Sequence, residues 1–74
     1  MNIKSKTIKL KVELLKNGLS IVDLSKKVSI DPSYSNQIVN GKRNPSPKLA
    51  KRIAETLGVE ITDIFTIEIN KEAN

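Results

Sequence analysis

One short stretch of the chain carries uncharged hydrogen-bonding side chains at helical spacing. At about 100° per residue, one arc of the helix predicted over 31–40 holds only proline, hydroxyl and amide side chains. An ordinary solvated helix face carries Lys and Glu instead. Amides can pair bidentately with N6 and N7 of adenine in the DNA major groove, so this arc suits the recognition of base edges. Its members are Pro32, Ser33, Asn36, Gln37 and Asn40.

A cationic turn follows this helix at once. Gly41 ends the helix, and Lys42 and Arg43 come next, with amides on either side at Asn40 and Asn44. Cations beside a groove-reading helix are suited to contact DNA phosphates. A solvated basic turn is the alternative interpretation, and the neighbouring amide-rich arc makes it the weaker one.

The elements that must position these residues are marked by capping signals. Helix starts are indicated by Ser20 with Asp23, and by Asp31 and Ser46, each followed by proline. Glycines follow three of the helical stretches, where a C′ residue can take positive φ. Together the signals predict helices over 5–17, 20–28, 31–40, 46–57 and 61–65, with short connections.

The tight connection of residues 28–31 predicts a helix-turn-helix, with an ordinary αα corner as the alternative.

The spacing of the apolar residues predicts which side chains form the core. Strict alternation over 65–70 predicts a short C-terminal strand, and residues 71–74 are expected to fray. The expected core residues are Leu10, Leu14, Leu15, Leu19, Leu24, Val28, Ile30, Ile38, Leu49, Ile53, Leu57, Val59, Ile61, Ile64 and Phe65.

Composition narrows the class of protein further. A chain of 74 residues is expected to form one domain, 1–74, with a core over about 5–65 and a strand and tail over 66–74. It has no Cys and no His, which argues against disulfides, a metal site and enzyme activity. No apolar run could span a bilayer or serve as a signal peptide, so a cytoplasmic location is expected. The Lys-rich first helix leaves binding to an anionic membrane as a weak alternative.

Charge is distributed unevenly along the chain. Residues 1–52 carry 12 basic and 3 acidic groups, whereas residues 53–74 carry 1 basic and 5 acidic groups. Because residues 1–52 are basic and residues 53–74 are acidic, the charge distribution favours a polyanionic partner that binds the basic part of the surface. Solubility alone is the other interpretation of a basic domain.

Three segments resemble the phage-repressor/Cro-type helix-turn-helix family, also called XRE, in its short phage and mobile-element members. They are 19–34 for the helix-turn-helix, 40–46 for the turn after it, and 57–65 for the closing helix. The resemblance spans about residues 8–65. It implies an all-α, five-helix, lambda-repressor-like fold, here with the short C-terminal strand. A protein of this fold is expected to bind operator DNA as a transcriptional regulator of the repressor type, without a cofactor or small-molecule ligand.

The resemblance also implies a role for each matching residue. Base reading falls on Pro32, Ser33, Asn36 and Gln37. Phosphate contacts fall on Ser20, Ile21, Tyr34, Asn40, Lys42, Arg43 and Asn44. Tyr34 is equally well interpreted as a half-buried packing residue.

The chain departs from the family pattern at several positions. Ser29 stands where the turn usually has Gly, so the turn is expected either to differ slightly or to hold Ser29 at a strained positive φ. Ser35 stands at an aliphatic inward position, where its hydroxyl could bond a helix carbonyl. Glu60 replaces the usual Ser or Thr cap of the last helix.

Assembly is predicted from the C-terminal strand. One helix-turn-helix reads few base pairs, so a homodimer on a palindromic double-stranded operator is expected, built on Ile64, Phe65, Ile67 and Ile69. The strand could instead pair near Ile3 of its own chain and only cover the monomer core. Two other functions stay open, namely a protein-interaction module without DNA binding and an antitoxin that regulates its own promoter.

Overall fold

The computed structural model describes residues 2–69, which form five helices and a two-stranded sheet. The predicted residue Asn70 of the strand and the tail 71–74 lie outside this range. Among the described residues, no helix is both long enough and apolar enough to cross a membrane. The elements are β1 (Asn2–Ser5), α1 (Thr7–Lys16), α2 (Ile21–Val28), α3 (Pro32–Val39), α4 (Pro47–Leu57), α5 (Ile61–Ile64) and β2 (Phe65–Glu68).

The helices begin where their capping residues predict. The Asp31 carboxylate accepts a hydrogen bond from the Ser33 N–H at 2.9 Å, and Pro32 occupies the first turn of α3. The Ser46 hydroxyl likewise accepts from the Leu49 N–H at 3.2 Å at the start of α4. Each cap satisfies an N–H that the helix itself leaves without a partner, which fixes the first turn.

The core is formed by apolar side chains from both strands and all five helices. Leu10 and Leu14 of α1 are buried, as predicted. Leu15 was expected in the core as well, and that prediction is wrong, because its side chain is 79% exposed. Two adjacent helix positions point about 100° apart, so a helix that buries Leu14 must turn Leu15 away. The buried apolar residues are Ile3, Leu10, Leu14, Leu24, Val28, Ile38, Val39, Leu49, Ala50, Ile53, Ala54, Leu57, Ile64 and Phe65.

The chain ends of the described region pair with each other. β1 and β2 are antiparallel, with Ile3 opposite Ile67 and Ser5 opposite Phe65. A first helix starting at residue 5 was predicted, but residues 2–5 are a strand, because the edge of β2 needs a partner for its backbone groups. The predicted C-terminal strand is present, and its partner is the segment around Ile3 of the same chain.

Candidate nucleic-acid interface

Helices α2 and α3 are joined by a tight turn, which confirms the helix-turn-helix. Ser29 follows α2 in the left-handed conformation, with φ 58°, and no other non-glycine residue in 2–69 has positive φ. The Ser25 carbonyl accepts the Ile30 N–H at 3.0 Å and so closes the turn. Of the two alternatives expected at Ser29, a different turn or a strained one, the structure has the positive φ.

Two buried serines lie where α2 and α3 meet. The Ser25 hydroxyl donates to the Val22 carbonyl of its own helix at 2.6 Å. The Ser35 hydroxyl is directed across to the Ile21 carbonyl of α2 at 3.5 Å. The expected bond from Ser35 to a helix carbonyl is thus present, but its acceptor belongs to the preceding helix. Small polar side chains at this contact let the two helices approach closely with their hydroxyls satisfied.

The outer face of α3 is uncharged and largely open to solvent, as the sequence predicts. Pro32, Ser33 and Asn36 are exposed and Gln37 is half-buried. The opposite face, with Ser35, Ile38 and Val39, is buried and holds the helix against the core. The residues predicted to read bases therefore lie together on one uncharged surface.

Two amides on this surface are bonded to each other. Asn40 Nδ2 donates to the backbone carbonyl oxygen of Asn36 at 2.9 Å and to Asn36 Oδ1 at 3.1 Å. Residues four apart on a helix are neighbours, and this spacing was the signal in the sequence that could have revealed the pair. The amide of Asn40 is engaged by Asn36 in this conformation, and a phosphate contact by Asn40 remains a prediction.

The turn after α3 folds back onto the helix. Gly41 has φ 77°, and the Gln37 carbonyl accepts from the Lys42 N–H at 2.7 Å and from the Arg43 N–H at 3.3 Å. A Cβ on Gly41 would meet Thr7 Oγ1 at 3.3 Å in addition to the strained φ. The turn therefore needs glycine, and it holds the two cations beside the last turn of α3.

Arg43 is held over an aromatic ring. Its guanidinium carbon lies 5.2 Å from the centre of the Tyr34 ring, within the range of a cation–π interaction. Tyr34 is half-buried and packs against the core. The packing interpretation of Tyr34 is correct for the ring, and a phosphate contact by its hydroxyl remains a prediction. Lys42 and Asn44 are exposed beside this pair.

The start of α2 carries a reciprocal capping box. The Ser20 hydroxyl accepts from the Asp23 N–H at 3.0 Å, and the Asp23 carboxylate accepts from the Ser20 N–H at 2.9 Å. Hydrogen bonding by Ser20, first from its backbone N–H and then from its side chain, lowers the pKa of Asp23 below its ordinary value. Within residues 2–69, the Ile21 and Val22 N–H groups are the backbone donors left at this helix end.

The end of α3 is supported from behind by the N-terminal strand. The Ser5 hydroxyl donates to the Ile38 carbonyl at 2.6 Å, and Lys6 Nζ donates to the Thr62 carbonyl at 2.9 Å. These contacts join segments far apart in the chain, so local patterns gave no signal for them. The Ser5 bond holds the end of α3 from which the basic turn departs, whereas the Lys6 bond joins the residue before α1 to α5.

The four predicted dimerisation residues differ in accessibility. Ile64 and Phe65 are fully buried within the single chain, so in this conformation they are not open to a second subunit. Ile67 is 37% exposed and Ile69 is 72% exposed. The first pair supports the monomer core, and only the second pair presents an accessible apolar surface.

Comparisons with known proteins agree with this geometry. The helix-turn-helix family model matches residues 10–64. An uncharacterized HTH-type transcriptional regulator of Methanocaldococcus jannaschii is 42% identical over 60 residues, which cover 81% of this chain and 91% of that protein.

Two solved structures share the fold. The restriction-modification controller protein C.AhdI from Aeromonas hydrophila is 27% identical, with a TM-score of 0.67, covering 74% of this chain and 83% of that one. The master regulator for biofilm formation SinR, solved in complex with DNA, is 23% identical, with a TM-score of 0.68, covering 74% and 92%. Because the family model covers residues 10–64 and the relative is 42% identical over most of both chains, the chain belongs to the helix-turn-helix family of the phage-repressor/Cro type.

Proposed function

We propose that the protein is a sequence-specific double-stranded DNA-binding transcriptional regulator that inserts α3 into the major groove. The observation that carries the proposal is the uncharged, exposed outer face of α3 with two cations held directly beside it. A helix fits the major groove, and only there do base edges distinguish all four base pairs. Family membership supports the same function.

Base recognition falls to the outer face of α3. Gln37 and Asn36 offer amide donors and acceptors, and Ser33 offers a hydroxyl. Pro32 has no polar side-chain atom, so its contribution is an apolar contact such as that to a thymine methyl group. Residues buried beneath α3 give this face a fixed orientation.

Phosphate binding falls to the two ends of the helix-turn-helix. Lys42, Arg43 and Asn44 are exposed in the turn after α3, and stacking on Tyr34 limits the freedom of Arg43. At the start of α2, next to Ser20, the free backbone donors are the Ile21 and Val22 N–H groups, near the positive end of the helix dipole. The Asp23 carboxylate opposes an anion there, so the turn contributes more than the start of α2.

A homodimer on a palindromic operator is the finer part of the proposal. Two-fold paired domains reach half-sites about one helical turn apart and double the sequence that is read. Exposed Ile67 and Ile69 at β2 support pairing on that side of the molecule. Sedimentation of the DNA-free protein at high micromolar concentration should show a dimer. If only monomer sediments, pairing takes place on the operator or not at all.

The proposal is tested by selecting bound duplexes from random DNA and then measuring affinity for the selected and random duplexes. Gln37→Ala should weaken binding to the selected duplex by roughly 1–3 kcal/mol and leave random DNA nearly unchanged. Equal losses on both duplexes would remove Gln37 from base reading. Absence of any salt-dependent binding would favour a protein-interaction module instead.

A further inference from the structure

The amide pair Asn36–Asn40 fixes the orientation of an exposed side chain on α3. Both contacts of Asn40 Nδ2 go to Asn36, one to the backbone carbonyl at 2.9 Å and one to the side-chain Oδ1 at 3.1 Å. A backbone carbonyl can only accept, so the Asn40 atom beside it must be the nitrogen. The Asn36 atom that receives the second hydrogen must then be the oxygen.

The orientation of Asn36 follows from that assignment. Its oxygen is held toward Asn40, and its Nδ2 has no acceptor among residues 2–69. Two amide hydrogens are therefore presented to solvent on the face that the proposed function directs at base edges. An amide that was free to rotate would present its donor and its acceptor equally well.

We infer that Asn40 is a positioning residue that presents Asn36 as a hydrogen-bond donor, so that Asn36 selects guanine in the operator. Guanine offers two acceptors in the major groove, N7 and O6, which suit two amide hydrogens. Adenine offers an acceptor and a donor, and bidentate contact with it needs Oδ1 against the base. Asn36 Oδ1 keeps a second lone pair, but the bond from Asn40 makes this oxygen a weaker acceptor and the Asn36 amide hydrogens stronger donors, which favours guanine over adenine.

The same geometry assigns Asn40 a role different from phosphate contact. A phosphate oxygen requires a donor, and the amide nitrogen of Asn40 already donates to two oxygens of Asn36. Lys42 and Arg43, directly after Gly41, supply charge for the backbone without any contribution from Asn40. The two asparagines thus act as one unit, in which Asn36 contacts the base and Asn40 orients it.

The experiment rests on the proposed function and compares base preferences selected from random duplex DNA. Wild type should give a defined site, and Asn36→Ala should erase the preference at one base pair, which identifies the pair that Asn36 contacts. At that pair wild type should prefer guanine over adenine by at least about fivefold. Asn40→Ala should bring the two purines to within roughly twofold, because Oδ1 is released.

Control variants separate positioning from phosphate contact and from folding. Asn44→Ala removes an amide from the same turn without touching Asn36, and should leave the purine preference intact. Asn40→Ser, whose shorter hydroxyl does not reach both acceptors, repeats the test if Asn40→Ala folds poorly. In the DNA-free protein, nitrogen relaxation of the Asn36 side-chain amide should show faster motion in Asn40→Ala and no change in Asn44→Ala.

Several results would overturn the inference. An Asn40→Ala profile identical to wild type, or a uniform loss on all duplexes with a flatter salt dependence, would make Asn40 a bystander or a phosphate contact. A wild-type preference for adenine at the Asn36 pair would refute the selection of guanine by Asn36. Each of these leaves the proposed function standing, whereas failure of wild type to select any site would overturn both.

Discussion

Replacing Ser29 by glycine should stabilise the protein. Ser29 occupies the turn between α2 and α3 with φ 58°, in the left-handed region that L-residues enter at a cost of roughly 1–2 kcal/mol. Glycine has no such penalty, although its greater freedom in the unfolded chain offsets roughly 0.5–1 kcal/mol of the gain. The exposed Ser29 side chain has no hydrogen-bond partner among residues 2–69, so its loss costs little. The net expectation is a gain of roughly 0.5–1 kcal/mol.

The measurement is the free energy of unfolding from urea titrations followed by circular dichroism, with thermal melts in parallel. For a domain of this size the gain corresponds to a rise in Tm of roughly 2–8 °C. Ser29→Ala is the matched control, since alanine also lacks the hydroxyl but keeps the Cβ that makes positive φ costly. It should stay within about 0.5 kcal/mol of wild type.

Two outcomes would refute this reasoning. If Ser29→Gly is no more stable than Ser29→Ala, the left-handed turn carries no strain that glycine relieves. If both variants gain equally, the hydroxyl and not the backbone conformation is responsible. DNA affinity should stay the same in both variants, because neither alters the outer face of α3.

Three further predictions concern the turn, the core and acid stability. Lys42→Ala and Arg43→Ala should each lower affinity on every duplex and reduce the slope of log K against log salt by about one, and an unchanged slope would show a merely solvated cation. Leu14→Ala should lower the free energy of unfolding by roughly 2–5 kcal/mol, whereas Leu15→Ala, at an exposed position, should lower it by less than about 0.5 kcal/mol. Similar losses in the two variants would contradict the burial of Leu14 and the exposure of Leu15. Because the folded-state pKa of Asp23 is lowered, its ionised carboxylate stabilises the fold above the unfolded-state pKa, and this contribution is lost as pH falls through the folded-state pKa. The stability advantage of wild type over Asp23→Asn should therefore shrink below about pH 4 in acid titrations. A difference in stability that does not depend on pH would rule out the capping carboxylate as its source.

Helix starts were predictable because their signals are local. A cap such as Asp31 bonds an N–H only two residues away, so the residue types in a short window suffice. The outer face of α3 was predictable for a similar reason, since a helical wheel separates Asn36 and Gln37 from Ile38. Periodicity alone defines which residues share a face.

The first strand, the exposure of Leu15 and the contact of Arg43 with Tyr34 depend on residues that are not close neighbours in the sequence. Residues 2–5 become a strand only because β2 lies beside them, and an isolated four-residue segment has no such preference. Leu15 was misplaced because Ile8, Val12 and Leu15 form a second apolar arc on α1, and spacing does not reveal which arc faces the core. The stacking of Arg43 on Tyr34 likewise requires the folded turn.

The pairing of β1 with β2 also has a consequence for the order of folding and for expression. Asn2 lies opposite Glu68, so the sheet closes a loop that includes nearly all the described chain. The closure entropy of so long a loop makes the sheet a late step, after the locally encoded helices. The bond from the Ser5 hydroxyl to the Ile38 carbonyl belongs to that same late step. A bulky affinity tag fused directly ahead of β1 would therefore leave the helices intact but loosen the end of α3, and a cleavable tag or a long flexible spacer is the safer choice.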